Sequence, residues 1–240
     1  RQITTPAALE VVQGLSGLLL ALFVWAHMLF ESSILLGKDA MYRVTRMFEG
    51  EPIFGEPYPI IVSVIAALLF ILLALHAALA LRKLPASARQ YRVLHRHSVG
   101  LHHADTTAWY AQAVTGIILL FLVPVHLYVV FVQPDNIGPY ASSDRVWSQH
   151  FWVLYSLLLI TVHVHAGVGV YRLAMKWAPI PADNFRAARD RLRTLSWCII
   201  VFFLVLGMAS LATYMKIGYD HAPHAGERYV PTAEPPGAKG

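Results

Sequence analysis

Five apolar stretches without a single Asp, Glu, Lys or Arg constrain the fold of this chain more than any other feature. They cover residues 11–30, 57–81, 106–134, 146–171 and 194–215. Each is about long enough to cross a hydrocarbon core of roughly 30 Å as a helix. Because lipid offers backbone groups no hydrogen-bond partners, a spanning segment of this kind has to be helical. We therefore predict an all-α integral membrane bundle of five transmembrane helices.

The distribution of charge sets the predicted orientation. Five Lys or Arg residues lie in connection 82–106 and six in connection 172–193, but connection 135–145 has one. Since cytoplasmic connections are enriched in Lys and Arg, the N-terminus is predicted to be cytoplasmic and the C-terminus outside. The net charge of +5 thus comes largely from basic residues in the connections between spans, where they set the orientation, and it indicates no nucleic-acid partner. Residues 1–218 are predicted to form one transmembrane domain, and residues 219–240 an extended, loosely packed tail.

Four of the apolar stretches contain a deep histidine, and ionisable groups at membrane depth are costly and usually functional. The predicted span directions put two of them, His27 and His126, a few ångströms outside the midplane. The other two, His76 and His165, lie a similar distance inside it. At 1.5 Å per residue, the predicted vertical offset between the two pairs is about 12 Å. Two levels of two imidazoles predict two bis-histidine haem sites, whereas zinc or copper would need its ligands at one depth.

Other residues narrow the cofactor chemistry. Cys198 is the single cysteine, which excludes a Cys-x-x-Cys-His haem attachment and an iron–sulfur cluster held by this chain alone. Gly14, Gly17 and Gly116 precede deep histidines, and they permit either the close approach of a flat macrocycle or close helix packing. His163 lies about 200° around the helix from its histidine neighbour two residues later. It is interpreted either as a proton relay or as a packed polar residue.

The segments around the deep histidines carry a family resemblance. They are WAHMLFESSILLG around His27, LHAALALRKLP around His76, HHADTTAWYAQAVTG entering the third stretch, PVHLYVVFVQPDNIGP around His126 and HVHAGVGVYRLAMKW around His165. On these motifs the chain resembles, over residues 13–214, the dihaem cytochrome b subunit of quinol:fumarate reductase in the succinate:quinone oxidoreductase superfamily. The resemblance implies a distal haem, near the outer face, whose iron is bound by His27 and His126. It implies a proximal haem, near the cytoplasm, bound by His76 and His165.

The same resemblance implies further site residues. Four residues near the span ends are implied to contact haem propionates: Gln13, Lys83, Trp109 and Lys176. Glu49, in the segment MFEG, matches the acidic residue of the family's menaquinol oxidation site, where a carboxylate accepts the proton that quinol releases. Glu31 is the competing candidate. Some menaquinol-oxidising members carry a glutamate of a transmembrane proton path where this chain has His163, so that role does not transfer automatically.

The resemblance also implies an activity and partners. Menaquinol would be oxidised near the outer face of the bacterial inner membrane, and electrons would pass through two b haems to an iron–sulfur subunit. A flavoprotein subunit with FAD would then reduce fumarate in anaerobic respiration, and the assembly would be compatible with a dimer of heterotrimers. Three alternatives stay open. They are the anchor of a succinate dehydrogenase that reduces quinone, the dihaem anchor of another respiratory complex such as a hydrogenase or formate dehydrogenase, and a haem-free scaffold.

Overall fold

The structure is a computed structural model, and it describes residues 5–84, 87, 89–90, 92–93, 96, 104–178 and 184–232. Regular structure in these residues is helical, with no strand. The α-helices bounded within them are α1 (Thr5–Glu31), α2 (Lys38–Phe48), α3 (Glu51–Phe54), α4 (Ile60–Leu81), α5 (Ala104–Val132), α6 (Pro139–Trp147), α7 (Trp152–Trp177) and α8 (Phe185–His221). Short 3₁₀ helices follow α1 at Ser32–Leu36 and α8 at Ala222–His224.

Five helices, α1, α4, α5, α7 and α8, are long and apolar enough to cross a membrane. This confirms the all-α class and the predicted number of spans in the part of the chain that the structure describes. Large apolar side chains on these helices point outward: Leu19 is 56% exposed, Ile71 67% and Phe121 68%. Contiguous exposed apolar surface is rare on soluble monomers, whereas in a bilayer the same side chains contact lipid tails.

The fourth and fifth spans differ from the predicted boundaries. Helix α7 begins at Trp152, six residues after the predicted start at residue 146, because α6 ends at Trp147 and the chain then turns. His150 in this turn has a φ of +60°, a conformation that is uncommon outside glycine. The aromatic residues on both sides of the turn hid it from a search for apolar stretches. Helix α8 has 37 residues and spans about 55 Å at 1.5 Å per residue, so its charged ends extend beyond the predicted stretch.

The chain divides into two compact units. The first, which we call the His76 unit, contains Arg1–Trp25, Leu68–Val125 and Leu158–Leu204. Its core includes Ile200, 2% exposed. A Cβ on Gly167 would overlap the Ile200 side chain, and the Ser196 hydroxyl donates to the Gly167 carbonyl over 2.9 Å. Glycine thus allows α7 and α8 to pack closely within this unit, as small residues do between membrane helices.

The second, which we call the His126 unit, contains Ala26–Ala67, His126–Leu157 and Val205–Gly240. Helices α2 and α3 belong to it and meet at Gly50, where φ is +83°. Any Cβ at this position would lie 2.6 Å from Cδ1 of Ile61, so glycine is needed both for conformation and for space. The connection between α1 and α4 is therefore a folded element, which the sequence pattern did not predict.

The C-terminal tail is bound to this connection. Asp39 of α2 accepts hydrogen bonds from the Tyr229 hydroxyl over 2.6 Å and from the Thr232 hydroxyl over 2.8 Å. The Thr232 amide also donates to Asp39, over 3.1 Å. These bonds, with Tyr229 as the principal donor, hold the pKa of the Asp39 carboxyl below its usual value. The expectation of a loosely packed tail is therefore wrong for residues 226–232.

Candidate functional site

The His76 unit brings two of the predicted ligands face to face. His76 of α4 and His165 of α7 have ring centroids 6.4 Å apart, with their ring planes at 90°. A metal–imidazole bond is about 2.0 Å long, so two imidazoles on opposite sides of one metal ion would have centroids about 6 Å apart. The observed spacing of this pair would therefore leave room for one metal ion between the two rings.

Hydrogen bonds fix which nitrogen of each ring carries the proton. Nδ1 of His165 lies 2.9 Å from the Gln112 carbonyl oxygen, and a carbonyl oxygen only accepts hydrogen bonds, so Nδ1 is the donor in this ring. Nδ1 of His76 lies 3.2 Å from the Ser16 hydroxyl oxygen. Because that hydroxyl donates its own hydrogen to the Gln13 carbonyl, Nδ1 is assigned as the donor in His76 as well. In a neutral imidazole the other nitrogen then has a free lone pair. Both Nε2 atoms of this unit are therefore in the form that binds a metal.

Two glycines allow helices to approach these rings. A Cβ on Gly17 of α1 would lie 2.7 Å from Cε1 of His76, and one on Gly116 of α5 would lie 2.9 Å from Cε1 of His165. Carbon atoms pack best at about 3.5–4.0 Å, so any larger residue would displace an imidazole. Both glycines are therefore explained by the packing of the histidine rings themselves.

The His126 unit contains the other two predicted ligands, also face to face. The ring centroids of His27 and His126 are 6.3 Å apart, and their planes are inclined by 48°. The Tyr155 ring stands edge-on to His126 with centroids 5.6 Å apart. Nδ1 of His126 is buried and has no hydrogen-bond partner among the described residues. The pairing predicted from span direction, His27 with His126 and His76 with His165, thus agrees with the geometry of each unit.

Arg145 is a buried cation in the His126 unit that the sequence did not single out. It is 3% exposed, and one guanidinium nitrogen donates to the Asn136 carbonyl oxygen over 2.5 Å. Nε is buried without a hydrogen-bond partner, and no salt bridge to Arg145 is present among the described residues. Buried charges are normally paired. The one available signal was that Arg145 is the single basic residue of its connection.

The four residues implied to contact propionates all lie in the His76 unit. Lys83 forms a 3.1 Å ion pair with Glu10 of α1, and Lys176 pairs with the same carboxylate. The side-chain oxygen of Gln13 is buried without a hydrogen-bond partner in the described part of the chain, while the Trp109 ring packs edge-on against Tyr110 at 5.1 Å. Glu10 was not predicted, because a single acidic residue near a span end has no distinctive pattern.

Glu49 lies at the C-terminal end of α2 and is 6% exposed. Burial raises the pKa of its carboxyl, and the Arg46 and Arg228 guanidinium groups partly oppose this. Nη1 of Arg46 lies 3.4 Å from Oε2 of Glu49. The competing Glu31 accepts a 3.0 Å hydrogen bond from the Tyr214 hydroxyl. A buried carboxyl beside an arginine can accept a proton and still be ionised beforehand, which is the requirement for a general base.

His163 is completely buried in the His76 unit. Its ring stacks on Phe203 with centroids 5.5 Å apart and planes within 15°. Neither ring nitrogen has a hydrogen-bond partner among the described residues. The choice between proton relay and packed polar residue therefore stays open. His102 and His103, which begin one of the family-like segments, lie outside the described residues.

Five apolar helices and two facing imidazole pairs define a helical membrane protein with paired histidines on its membrane-crossing helices. Residues 88–208 match the family described as succinate dehydrogenase/fumarate reductase transmembrane subunit. The chain belongs to this family. It is therefore a multi-pass membrane protein, and its bacterial relatives imply the inner membrane.

Three relatives illustrate the similarity. The chain is 43% identical to a fumarate reductase cytochrome b subunit of Helicobacter pylori, over 90% of this chain and 83% of that protein. It is 42% identical to the protein of the same description in Wolinella succinogenes, over 90% of this chain and 84% of that protein. A succinate dehydrogenase hydrophobic membrane anchor subunit of Archaeoglobus fulgidus is 38% identical over 41% of this chain and 84% of its own length.

Proposed function

We propose that this chain is the dihaem cytochrome b membrane anchor of a quinol:fumarate reductase. The observation that carries the proposal is the presence of two facing imidazole pairs, with centroids 6.3 and 6.4 Å apart. Relatives that align over 90% of the chain are named fumarate reductase cytochrome b subunits. The iron–sulfur and flavoprotein subunits, with their clusters and FAD, would bind at the cytoplasmic side, and the fumarate site would belong to the flavoprotein.

The residues of both pairs fit a b-type haem. The His76 unit supports this assignment through two Nδ1–H tautomers, assigned from the hydrogen bonds around each ring, which leave Nε2 free to bind iron. Thioether attachment would need cysteines that the chain lacks, since Cys198 is its single cysteine. His27 and His126 would hold the distal haem and His76 and His165 the proximal one. When bound, the haems supply one-electron transfer, while the protein supplies orientation and electrostatics.

Cationic and polar groups would receive the haem carboxylates. Gln13, Trp109 and the lysines Lys83 and Lys176 are the candidates in the His76 unit, where Glu10 currently satisfies both lysines. A propionate would have to share these ammonium groups with Glu10 or replace it. In the His126 unit, the buried guanidinium of Arg145 supports an anionic neighbour, because an unpaired buried cation is costly.

Glu49 is proposed to take a proton from menaquinol at its carboxylate. Its burial limits access by water and raises its pKa, which makes it a stronger base than an exposed glutamate. The Arg46 guanidinium, 3.4 Å away, favours the ionised form before the proton arrives. The balance of the two effects suits a group that cycles between protonated and ionised forms.

A second candidate function is the reverse reaction, in which the anchor belongs to a succinate dehydrogenase that reduces quinone. The similarity to the Archaeoglobus fulgidus anchor subunit favours keeping it, although that alignment covers 41% of the chain. The direction of electron transfer depends on the midpoint potentials of the haems relative to those of the quinone and of succinate/fumarate. Midpoint potentials of both haems below that of succinate/fumarate and above that of menaquinone would support fumarate reduction.

The first experiment is a haem count on the purified complex by pyridine haemochrome, followed by a redox titration of the same sample. We expect two b haems per chain. His126→Ala should lose one haem and keep the other, because each unit holds its own pair. One haem in the unaltered complex would make one pair structural, and none would sink the dihaem proposal.

Glu49→Gln tests the quinol site independently. The amide keeps the shape of the side chain but cannot take up the proton, so quinol oxidation should be lost. Both haems, and fumarate reduction with an artificial electron donor, should persist. Glu51→Gln is the matched control, because Glu51 bonds the same Arg46 but is 40% exposed at its side chain. Normal quinol turnover in Glu49→Gln would remove Glu49 from the mechanism and leave Glu31 as the candidate.

A further inference from the structure

Two histidine-bearing helices carry the same short sequence pattern. Helix α1 contains QGLSG at residues 13–17, and His27 follows ten residues after the second glycine. Helix α5 contains QAVTG at residues 112–116, and His126 follows ten residues after its glycine. Both helices therefore fit the pattern Q-x-x-[S/T]-G-x₉-H. The repetition indicates that the two helices make equivalent contacts, although the intervening residues differ.

In the His76 unit, residues of both copies of the pattern contact an imidazole ring. The Ser16 hydroxyl oxygen lies 3.2 Å from Nδ1 of His76, and the Thr115 hydroxyl oxygen lies 3.4 Å from Nδ1 of His165. In α5 the glutamine of the pattern also supplies its backbone carbonyl to the same imidazole, 2.9 Å from Nδ1. Each repeat thus presents one hydroxyl and one glycine to the histidine of another helix.

The hydrogen bonds that the two hydroxyls donate within their own helices decide whether each hydroxyl donates to the imidazole or accepts from it. The Ser16 hydroxyl donates to the Gln13 carbonyl over 3.0 Å, and the Thr115 hydroxyl donates to the Ala111 carbonyl over 2.6 Å. A hydroxyl has one hydrogen and two lone pairs. With the hydrogen committed to the helix backbone, the oxygen faces the imidazole as an acceptor. Both hydroxyls therefore reinforce the Nδ1–H form of the ring.

We infer that Ser16 and Thr115 are positioning residues that tune the two imidazoles of the proximal haem site; the inference rests on the proposed function. A hydrogen bond accepted from Nδ1–H makes an imidazole a more basic metal ligand and fixes its orientation. A more basic ligand stabilises ferric over ferrous iron, so these hydroxyls lower the potential of the haem. Hydrogen bonds to the side chains that bind the iron are one of the established means by which proteins set haem potentials.

Back-bonding of serine and threonine to their own helix is common and has no functional meaning by itself. Thr213 of α8 shows this ordinary case, because its hydroxyl donates to the Ala209 carbonyl over 2.9 Å and the residue is half-buried, with no imidazole of the described residues bonded to the hydroxyl. Ser16 and Thr115 differ because the oxygen has a second neighbour, an imidazole nitrogen, in both copies of the repeat. Thr213→Val is therefore a matched control for loss of a back-bonded hydroxyl.

The experiment compares Ser16→Ala and Thr115→Val with Ser16→Thr and Thr115→Ser in the purified complex. Haem content, the two midpoint potentials and the EPR spectrum of the oxidised haems are measured for each. Ser16→Ala and Thr115→Val should keep two haems and shift one midpoint potential upward, with the same single EPR signal altered. Ser16→Thr and Thr115→Ser should restore the unaltered values, and Thr213→Val should leave both potentials in place.

The results distinguish failure of the role of Ser16 and Thr115 from failure of the proposed function. An unaltered complex without haem would overturn the proposed function itself. Two haems whose potentials and EPR signals are unchanged in both hydroxyl-free variants would overturn only the role of Ser16 and Thr115, as would a downward shift. Loss of haem in Thr115→Val that Thr115→Ser prevents would support the role of the hydroxyl, because threonine and valine have nearly the same shape.

Discussion

Gly17→Ala is the sharpest test of how the protein prepares the His76 site. The added Cβ would lie 2.7 Å from Cε1 of His76, so the ring has to move by about 0.8 Å to reach an ordinary carbon–carbon contact. Metal–ligand distances tolerate only about 0.2 Å. Overpacking of this kind costs about 1–3 kcal/mol, which corresponds to about 5- to 150-fold weaker haem binding, since 1.4 kcal/mol is a factor of ten.

The assay is haem retention in the purified complex, measured by pyridine haemochrome after dialysis against a haem-binding competitor. We expect Gly17→Ala to lose the haem of the His76 unit and to keep the haem bound by His27 and His126. The helix itself should not suffer, because alanine is about 1 kcal/mol more favourable than glycine inside a helix. Unchanged or higher thermal stability of the haem-free protein would exclude a general folding defect.

Gly14→Ala is the matched control, since it makes the same change one turn earlier in α1. Its Cβ would lie 2.6 Å from the Trp177 ring, but Trp177 is 40% exposed and can move away. We expect this variant to retain both haems. If Gly17→Ala also kept two haems with unaltered spectra and potentials, the reasoning that the glycine positions the His76 imidazole would be refuted.

Two further predictions concern charged groups of the His126 unit. Arg46→Met should move the acid limb of the quinol-oxidation pH profile to higher pH. The reason is that the Arg46 guanidinium lowers the pKa of the buried Glu49 carboxyl, and the ionised carboxylate is the base. An acid limb at the same or lower pH would speak against Glu49 as that base. Asp39→Asn should accelerate tryptic cleavage after Arg228, because the amide is a weaker acceptor for the Tyr229 hydroxyl. Asp220→Asn is the control, since Asp220 bonds only the exposed Lys216 in the described part of the chain, and equal cleavage rates in the two variants would contradict the role of Asp39.

The same Asp39 contacts give a stability prediction. The pKa of this carboxyl is lowered in the folded state, so its contribution to stability is present above the unfolded-state pKa and is lost as the pH falls through the folded-state value. The tail should therefore become more susceptible to an acid-active protease below about pH 4, the ordinary range for an aspartate. A tail that stays equally protected at that pH would show that other contacts hold it.

The spans and the histidine pairing were accessible from sequence for a simple physical reason. Charge cannot be buried in lipid, so uninterrupted apolar stretches mark the helices, and alternation of direction assigns each deep histidine to a level. His27 with His126, and His76 with His165, follow from that alternation without any knowledge of side-chain contacts. The predicted orientation and the spacing between the two levels stay predictions.

Other features depend on contacts that no single stretch encodes. The turn before α7 has aromatic residues on both sides, which suit either a span or a connection, so the start of the fourth span was placed at residue 146 instead of Trp152. The ion pairs of Glu10 involve residues far apart in sequence, and the burial of Arg145 depends on how the surrounding helices pack. The pattern shared by residues 13–17 and 112–116 was visible in the sequence, but its meaning required the positions of the imidazoles.

The attachment of the tail to Asp39 has a consequence for biosynthesis. The groups that bind this carboxylate lie 190 and 193 positions later in the chain. The connection that carries Glu49 can therefore make these contacts only after residue 232 has been translated. Until then the first and second spans can insert, but the segment between them lacks its last contacts. Truncation before Tyr229 would remove these contacts from a chain that still contains the five membrane-crossing helices of the described residues.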